Sequence, residues 1–322
     1  MSIIRTVLGD ISPDKLGRCG AHEHLIIDRS YTTERFPDFL LDSVEAGIEE
    51  LRAFYAAGGR AMVDSMPCDC GRNVVKLAAI SRATGVHILC PTGVHLRQYY
   101  PQGSWAERLG VEQLAELFVA DLEIGIDAND YAGPECQRTV HRAGLIKVAS
   151  GLNQINEHEQ KIFAAAALAH QRTGAPILTH TEKGTAALEQ VAFLQQHGVH
   201  PRHVVLSHTD RKPDPVYHRE ILATGVFVEY DAHFRWKPEQ GNPTADLILA
   251  LCADGLASQI MLGMDAARRS YWTSYGGTPG HNYLLTTFRT LLLSRGLSPA
   301  DYDRFQIDNP LRAYQFRQRG QK

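Results

Sequence analysis

Histidine accounts for 15 of the 322 residues, and it is both the commonest metal ligand and the usual acid–base group near pH 7. Four histidines end short apolar runs: His22 and His24 in G-A-H-E-H-L, His180 in I-L-T-H-T, and His208 in V-L-S-H-T-D. Lys147 lies inside G-L-I-K-V-A-S, and Asp265 lies in L-G-M-D-A. Residues i and i+2 of a strand face one way, so His22 and His24 can reach a single ion while Glu23 turns to the other side. Lys147, between Ile146 and Val148, needs an explanation, because an unpaired buried ammonium is costly and burial favours the neutral, nucleophilic amine. Taken singly, each residue has a plainer reading: a packed histidine, a helix-capping aspartate, a lysine snorkelling to water. Six in phase at strand ends point to one shared centre.

The elements that must carry them alternate regularly. Short β-rich runs at 19–25, 61–65, 87–92, 144–150, 176–181, 203–208, 225–230 and 259–263 read as strands buried on both faces. Helical patterns follow at 43–57, 73–84, 111–124, 157–173, 184–196, 215–224, 243–254 and 281–294. The helix after Asn156 is the clearest, with Glu159 three residues on as a capping box and Gly174 as its stop. Eight strand–helix pairs are the count of a (β/α)8 TIM barrel, and 322 residues fit that fold as one domain. A segment before the first strand (1–17) and a helical tail (about 298–322) flank it. A doubly wound open sheet would carry a Gly-rich phosphate loop after the first strand, and none is present. In a barrel the reactive residues come from the C-terminal ends of several strands, where all six candidates fall.

Composition narrows the function classes. An apolar fraction of 44% with 21% charged residues is globular, and a net charge of -3 lacks the basic surplus of a nucleic-acid binder. The six cysteines are sparse and unpatterned, which reads as a reduced, cytoplasmic chain; Cys68 and Cys70 are packing thiols. No apolar run approaches the length of a membrane span or signal segment.

The motif set resembles the phosphotriesterase family of the amidohydrolase superfamily over nearly the whole chain, beginning with the opening VLGDISPDKLGRCGAHEHL. The resemblance implies a binuclear metal centre of two divalent ions, zinc with manganese or cobalt as alternatives. His22, His24 and Asp265 would hold one ion, and His180 and His208 the other. Lys147, carbamylated by CO2, and a hydroxide would bridge them. Two divalent ions outweigh the charges of carbamate, aspartate and hydroxide, so such a site stays mildly cationic and suits a developing oxyanion. An unmodified ammonium would repel both ions. The implied reaction is attack of the bridging hydroxide on a carbonyl, with Asp265 passing the proton to the leaving alkoxide.

The loops after strands seven and eight carry Arg235, Lys237, Arg268, Arg269 and Tyr271. Guanidinium and ammonium groups suit a dianionic phosphate rather than an apolar triester or a long acyl chain. The run A-R-R-S-Y, with HTEKGTAALEQ, HTDRKPDPVYH and DNPLRAY, resembles the phosphorylated-sugar lactonases of the family. This assigns the phosphate to Arg268 and Tyr271, with either Lys237 or Arg235 as third contact; the loop after strand seven is about two residues shorter than that pattern. Tyr99 or Tyr100 is a candidate substrate contact or a packed loop aromatic. A small-molecule lactone carrying a phosphate is therefore the expected substrate, and a homodimer the expected assembly. The competing readings are another ester or amide hydrolase, an acyl-homoserine lactonase with side activity on phosphotriesters, and a metal-binding barrel without catalysis.

Overall fold

A computed structural model describes residues 2–316. The tail predicted to be helical folds as three short consecutive segments, Pro299–Asp303, Arg304–Asp308 and Asn309–Ala313, and residues 317–322 of that prediction lie outside the described range. At the other end, β1 (Ile4–Thr6) and β2 (Gly9–Ile11) form an antiparallel hairpin.

Nine strand segments make the barrel wall: β3 (Cys19–Glu23), β4 (Ala61–Asp64), β5 (His87–Leu89), β6 (Pro91–Gly93), β7 (Leu145–Ser150), β8 (Ile177–Thr181), β9 (Val204–Ser207), β10 (Phe227–Tyr230) and β11 (Ile260–Leu262). They answer to the eight predicted strands, because the third is interrupted at Cys90, next to Pro91, which has no N–H to donate. β3 to β5 pair in parallel as one ladder, and β6 to β11 as another. Where the two meet at the far seam, the N–H groups of Met264 and Asp265 donate to the carbonyl of His22 at 3.2 and 2.9 Å. The fold is the (β/α)8 frame.

Inside the wall, Ala21, Val63, Leu89, Leu145, Leu178, Val205, Phe227 and Met261 form a dry layer with Ile4, Leu16 and Tyr314. Two residues further along, the same inward files become polar: Leu145 leads to Lys147, Leu178 to His180, and Phe227 to Glu229 and Asp231. The apolar floor and the polar layer above it are thus one period-2 pattern. A larger apolar layer lies between the strands and the surrounding helices.

Two glycines allow this packing. Gly93 pairs with Lys147 at φ +115, and a Cβ there would lie 1.9 Å from the Lys147 carbonyl oxygen. A Cβ on Gly263 would meet the His22 backbone and a Glu229 oxygen at under 3 Å. The helix after Asn156 has its predicted reciprocal cap: Asn156 Oδ1 accepts from Glu159 N at 3.0 Å, and Glu159 Oε2 accepts from Asn156 N at 2.9 Å. The helix expected from residue 184 begins at Ala187 instead, because Lys183 and Ala186 adopt left-handed backbone. The stretch predicted as one helix over 281–294 is instead a 3-10 turn, a π turn and an α turn in succession. Among the described residues no helix is long and apolar enough to cross a membrane.

Candidate active site

All six candidates border one cavity of about 570 Å³, although Lys147, expected at a strand end, lies inside β7. β3 delivers His22 and His24, whose Nε2 atoms lie 3.8 and 3.2 Å from Asp265 Oδ1. The pairing of β3 with β4 shifts register between Gly20 and Glu23, so the strand is irregular where it carries His22. Asp265 follows β11 in left-handed backbone (φ +47). Donor atoms of His22, His24 and Asp265 all fall within 4.8 Å of one another, an arrangement that could hold a metal ion. The His208 ring lies 4.6 Å from those of both His22 and His180, centroid to centroid.

The second nitrogen of three of these imidazoles is already engaged. His22 Nδ1 meets Ser207 Oγ at 2.8 Å, His180 Nε2 meets Glu182 Oε2 at 3.0 Å, and His208 Nδ1 bonds Asp231 Oδ2. Partners of this kind fix the tautomer and aim the other nitrogen, as outer carboxylates and hydroxyls do around metal-bound histidines. Glu229, two residues before Asp231, is buried 3.5 Å from His22 Nδ1 with neither oxygen hydrogen-bonded.

Lys147 is 1% exposed, and its Nζ has no hydrogen-bond partner. Burial pulls its pKa down to about 7. Burial also lowers the imidazoles: His208 to about 3, with Arg211 contributing, and His22 well below its ordinary value, with Lys147 contributing. They are therefore neutral near pH 7, the state in which imidazole ligates. Burial alone would raise the Asp265 carboxyl. The hydrogen bond from His24 and the charges of Arg235 and Arg211 outweigh it and hold Asp265 well below the usual carboxylate range.

These observations fit a pair of divalent ions. The donors are imidazoles and a carboxylate, the set zinc takes. The orphaned amine borders the same cavity, where a carboxylated lysine would add two further oxygens.

Arg211, Asp231, Glu229, Glu182 and His95 were not singled out from the sequence. Arg211 Nη2 donates to Asp265 Oδ2 at 2.7 Å and to Asp231 Oδ1 at 3.1 Å. The signal available for the acids was the same one that drew attention to Lys147: charged residues at i and i+2 inside the apolar run V-F-V-E-Y-D.

The residues expected at the mouth divide. Arg235 turns inward, with Nη2 on the Asp265 carbonyl at 2.6 Å and Nη1 3.2 Å from Asp231 Oδ1. Lys237, Arg268 and Tyr271 line the outer cavity; Arg268 covers Phe39 and lies 3.7 Å from Asp38. Arg269 leaves it, binding the Leu40 carbonyl and Asp42 instead. Tyr99 lines the cavity, whereas Tyr100 is buried and donates to the Cys68 carbonyl at 3.0 Å. Both Cys68 and Cys70 are buried thiols, and Cys70 also touches the cavity. Two further buried histidines are structural: His233 stacks on Phe288, and His281 lies between Glu23 and Glu50.

Comparison with known proteins gives the family. A phospho-furanose lactonase of Mycoplasmopsis synoviae (strain 53) is 34% identical over 322 residues, covering 97% of this chain and 91% of the relative. A lactonase structure from Listeria monocytogenes superposes with a TM-score of 0.89 at 31% identity, over 98% of this chain and 100% of the other. The phosphotriesterase homology protein of Escherichia coli, solved with phosphate in its active site, gives 0.84 at 32% identity, over 94% and 99%. The phosphotriesterase family model matches residues 2–314, and the chain belongs to that family of hydrolases.

Proposed function

We propose that the protein is a binuclear metal-dependent lactonase that opens a phosphorylated sugar lactone. The observation that carries this reading is that one cavity joins two unlike ends, a buried cluster of metal-type donors and an exposed cationic rim at Arg268 and Lys237. The relatives named phospho-furanose lactonase and the phosphate held by the E. coli protein support it.

His22, His24 and Asp265 would hold one ion and His180 and His208 the other, with Lys147 between them as a carbamate formed from its neutral amine and CO2. Bound there, the ions would polarise the carbonyl and acidify water. Asp265 accepts the proton of the attacking water and returns it to the ring oxygen as the ester bond breaks. Because Arg211 and Arg235 keep this carboxylate ionised, the proton rests on it briefly and passes on readily. Arg268, Lys237 and Tyr271 anchor the remote phosphate, and this fixes the ring relative to the donors. Arg235 is committed to Asp231 and Asp265, which favours Lys237 as the third phosphate contact. Tyr99 borders the substrate. A cytoplasmic homodimer completes the reading.

The test is a pH-indicator assay of metal-reconstituted protein on matched phosphorylated and unphosphorylated sugar lactones. Arg268→Ala should lower kcat/KM on the phosphorylated lactone by about tenfold or more, the scale of a charge-assisted contact, and spare the other. Equal losses on both would sink the phosphate role.

A further inference from the structure

His95 lies outside every role assigned so far, yet its ring borders the cavity 5.0 Å from the ring of His180. Three contacts hold it. Its backbone N–H donates to Tyr100 Oη at 2.9 Å, and that hydroxyl is itself anchored on the Cys68 carbonyl. Tyr99 packs edge-on against the imidazole at 4.5 Å. The N–H of Leu96 donates to His95 Nδ1 at 2.7 Å. That last bond occupies the Nδ1 lone pair, so the ring proton resides on Nε2. Nε2–H is then the one polar group of this side chain left for a ligand, on a ring whose backbone, face and tautomer are already fixed. With Nδ1 occupied and Nε2 protonated, the ring has no lone pair left to ligate an ion.

A preset donor that is not a metal ligand, bordering the reaction cavity, is what stabilisation of a developing oxyanion calls for. Such a donor needs no reorganisation as charge appears. We propose that His95 Nε2–H is a catalytic hydrogen-bond donor to the substrate carbonyl oxygen on the His180 side of the cavity.

The inference rests on the lactonase reading but not on its phosphate part. As water oxygen bonds to the carbonyl carbon, its proton goes to Asp265 and the carbonyl π pair moves to oxygen. His95 donates a hydrogen bond to that oxygen and keeps its own proton. When the carbonyl re-forms, the bond to the ring oxygen breaks, and the departing oxygen takes its proton from Asp265. A fixed N–H at this point serves carboxylic esters and lactones alike.

Two variants separate the donor from the ring. His95→Phe keeps a planar ring without the N–H, and His95→Gln places an amide N–H near the position of Nε2. With metal-reconstituted full-length protein, His95→Phe should lose about 10²-fold in kcat, the scale of one lost oxyanion donor, with KM and bound metal unchanged. His95→Gln should recover at least tenfold of that loss. The losses should match on a phosphorylated and an unphosphorylated lactone. His95→Phe within twofold of wild type overturns the role, as does a loss that Gln does not relieve. Loss of metal from His95→Phe also overturns it, since the residue would then act by supporting His180. If wild type hydrolyses no lactone or ester, the lactonase reading fails and this proposal fails with it.

Discussion

Two charged clusters are buried in this barrel, and they differ in whether their polar groups have partners. Beside β6, Arg72 donates from Nε to Asp130 at 2.8 Å, and from Nη1 to the Pro91 carbonyl at 2.7 Å and to Asp121 at 3.0 Å. Asp121 in turn accepts from Thr92, Tyr131 and Arg138. Around Lys147 the opposite holds: its amine, His24 Nδ1 and both Glu229 oxygens have no hydrogen-bond partner. Burial without partners costs several kcal/mol per charged group unless something else supplies the contacts. The first cluster is therefore charge-paired as the chain folds, with Arg72 Nη2 lying 2.8 Å from Asp130 Oδ1 although it makes no hydrogen bond, and it ties the segment around residues 127–138 to the barrel. The second is complete only with exogenous atoms, which marks it as the site.

Replacing the cation in each cluster should break this contrast open. Lys147→Met should abolish turnover, about a thousandfold or more, because the centre loses its bridging group. Its melting temperature after chelation should be no lower than that of chelated wild type, since an unsatisfied buried amine has been removed. Arg72→Met should destabilise the fold by about 3–5 kcal/mol, the scale of stranding a buried ion's partners, yet leave the metal content per folded molecule unchanged. Denaturant titration and elemental analysis read both. Equal destabilisation by the two variants would contradict the distinction between them.

The partners aiming the histidines should matter less than the donors themselves. Asp231→Asn weakens the bond that orients His208 and removes a charge from Arg211 and Arg235. Metal affinity should fall about 10–100-fold, as for other outer carboxylates, measured by competition with a chelator. A value within twofold of wild type would mean that His208 is oriented by packing alone.

What could be read from the sequence follows physical range. The six candidates were legible because apolar runs of period two fix both the strand and the side its last residue faces, and that information is local. Chain order also gave the eight strand–helix pairs, since each pair is closed by its own turn signals. The partners of those six were not legible. Arg211 reaches Asp265 across 54 positions and Asp231 across 20, and no local pattern states which acid an arginine meets. Arg235 and Lys237 looked equivalent as neighbouring cations of one loop, yet one is consumed inside the site while the other borders the outer cavity. His95 was passed over for the tyrosines that follow it. Its fixed tautomer depends on a single backbone N–H, which a sequence does not display.

The smallest effect concerns how the open cluster becomes filled. Carbamate forms only on the neutral amine, and burial brings Lys147 from its ordinary value near 10.5 down to about 7. Above about pH 7 nearly all of the buried amine is free to react, and below it the reactive fraction falls about tenfold per pH unit. An exposed lysine would still be climbing tenfold per unit up to pH 10. In the folded, metal-free protein, reactivation by bicarbonate and excess metal should therefore accelerate with rising pH and level off above about 7, once the rate is referred to dissolved CO2. Stability obeys the same linkage with its own sign. The unfolded lysine holds its proton up to about 10.5 and the folded one only below about 7, so the chelated protein gains stability from this group as pH rises through that interval. Below 7 both states are protonated and the contribution is flat. Lys147→Met should erase both dependences, while Arg72→Met, acting in the cluster that closes on itself, should leave the reactivation profile where it was.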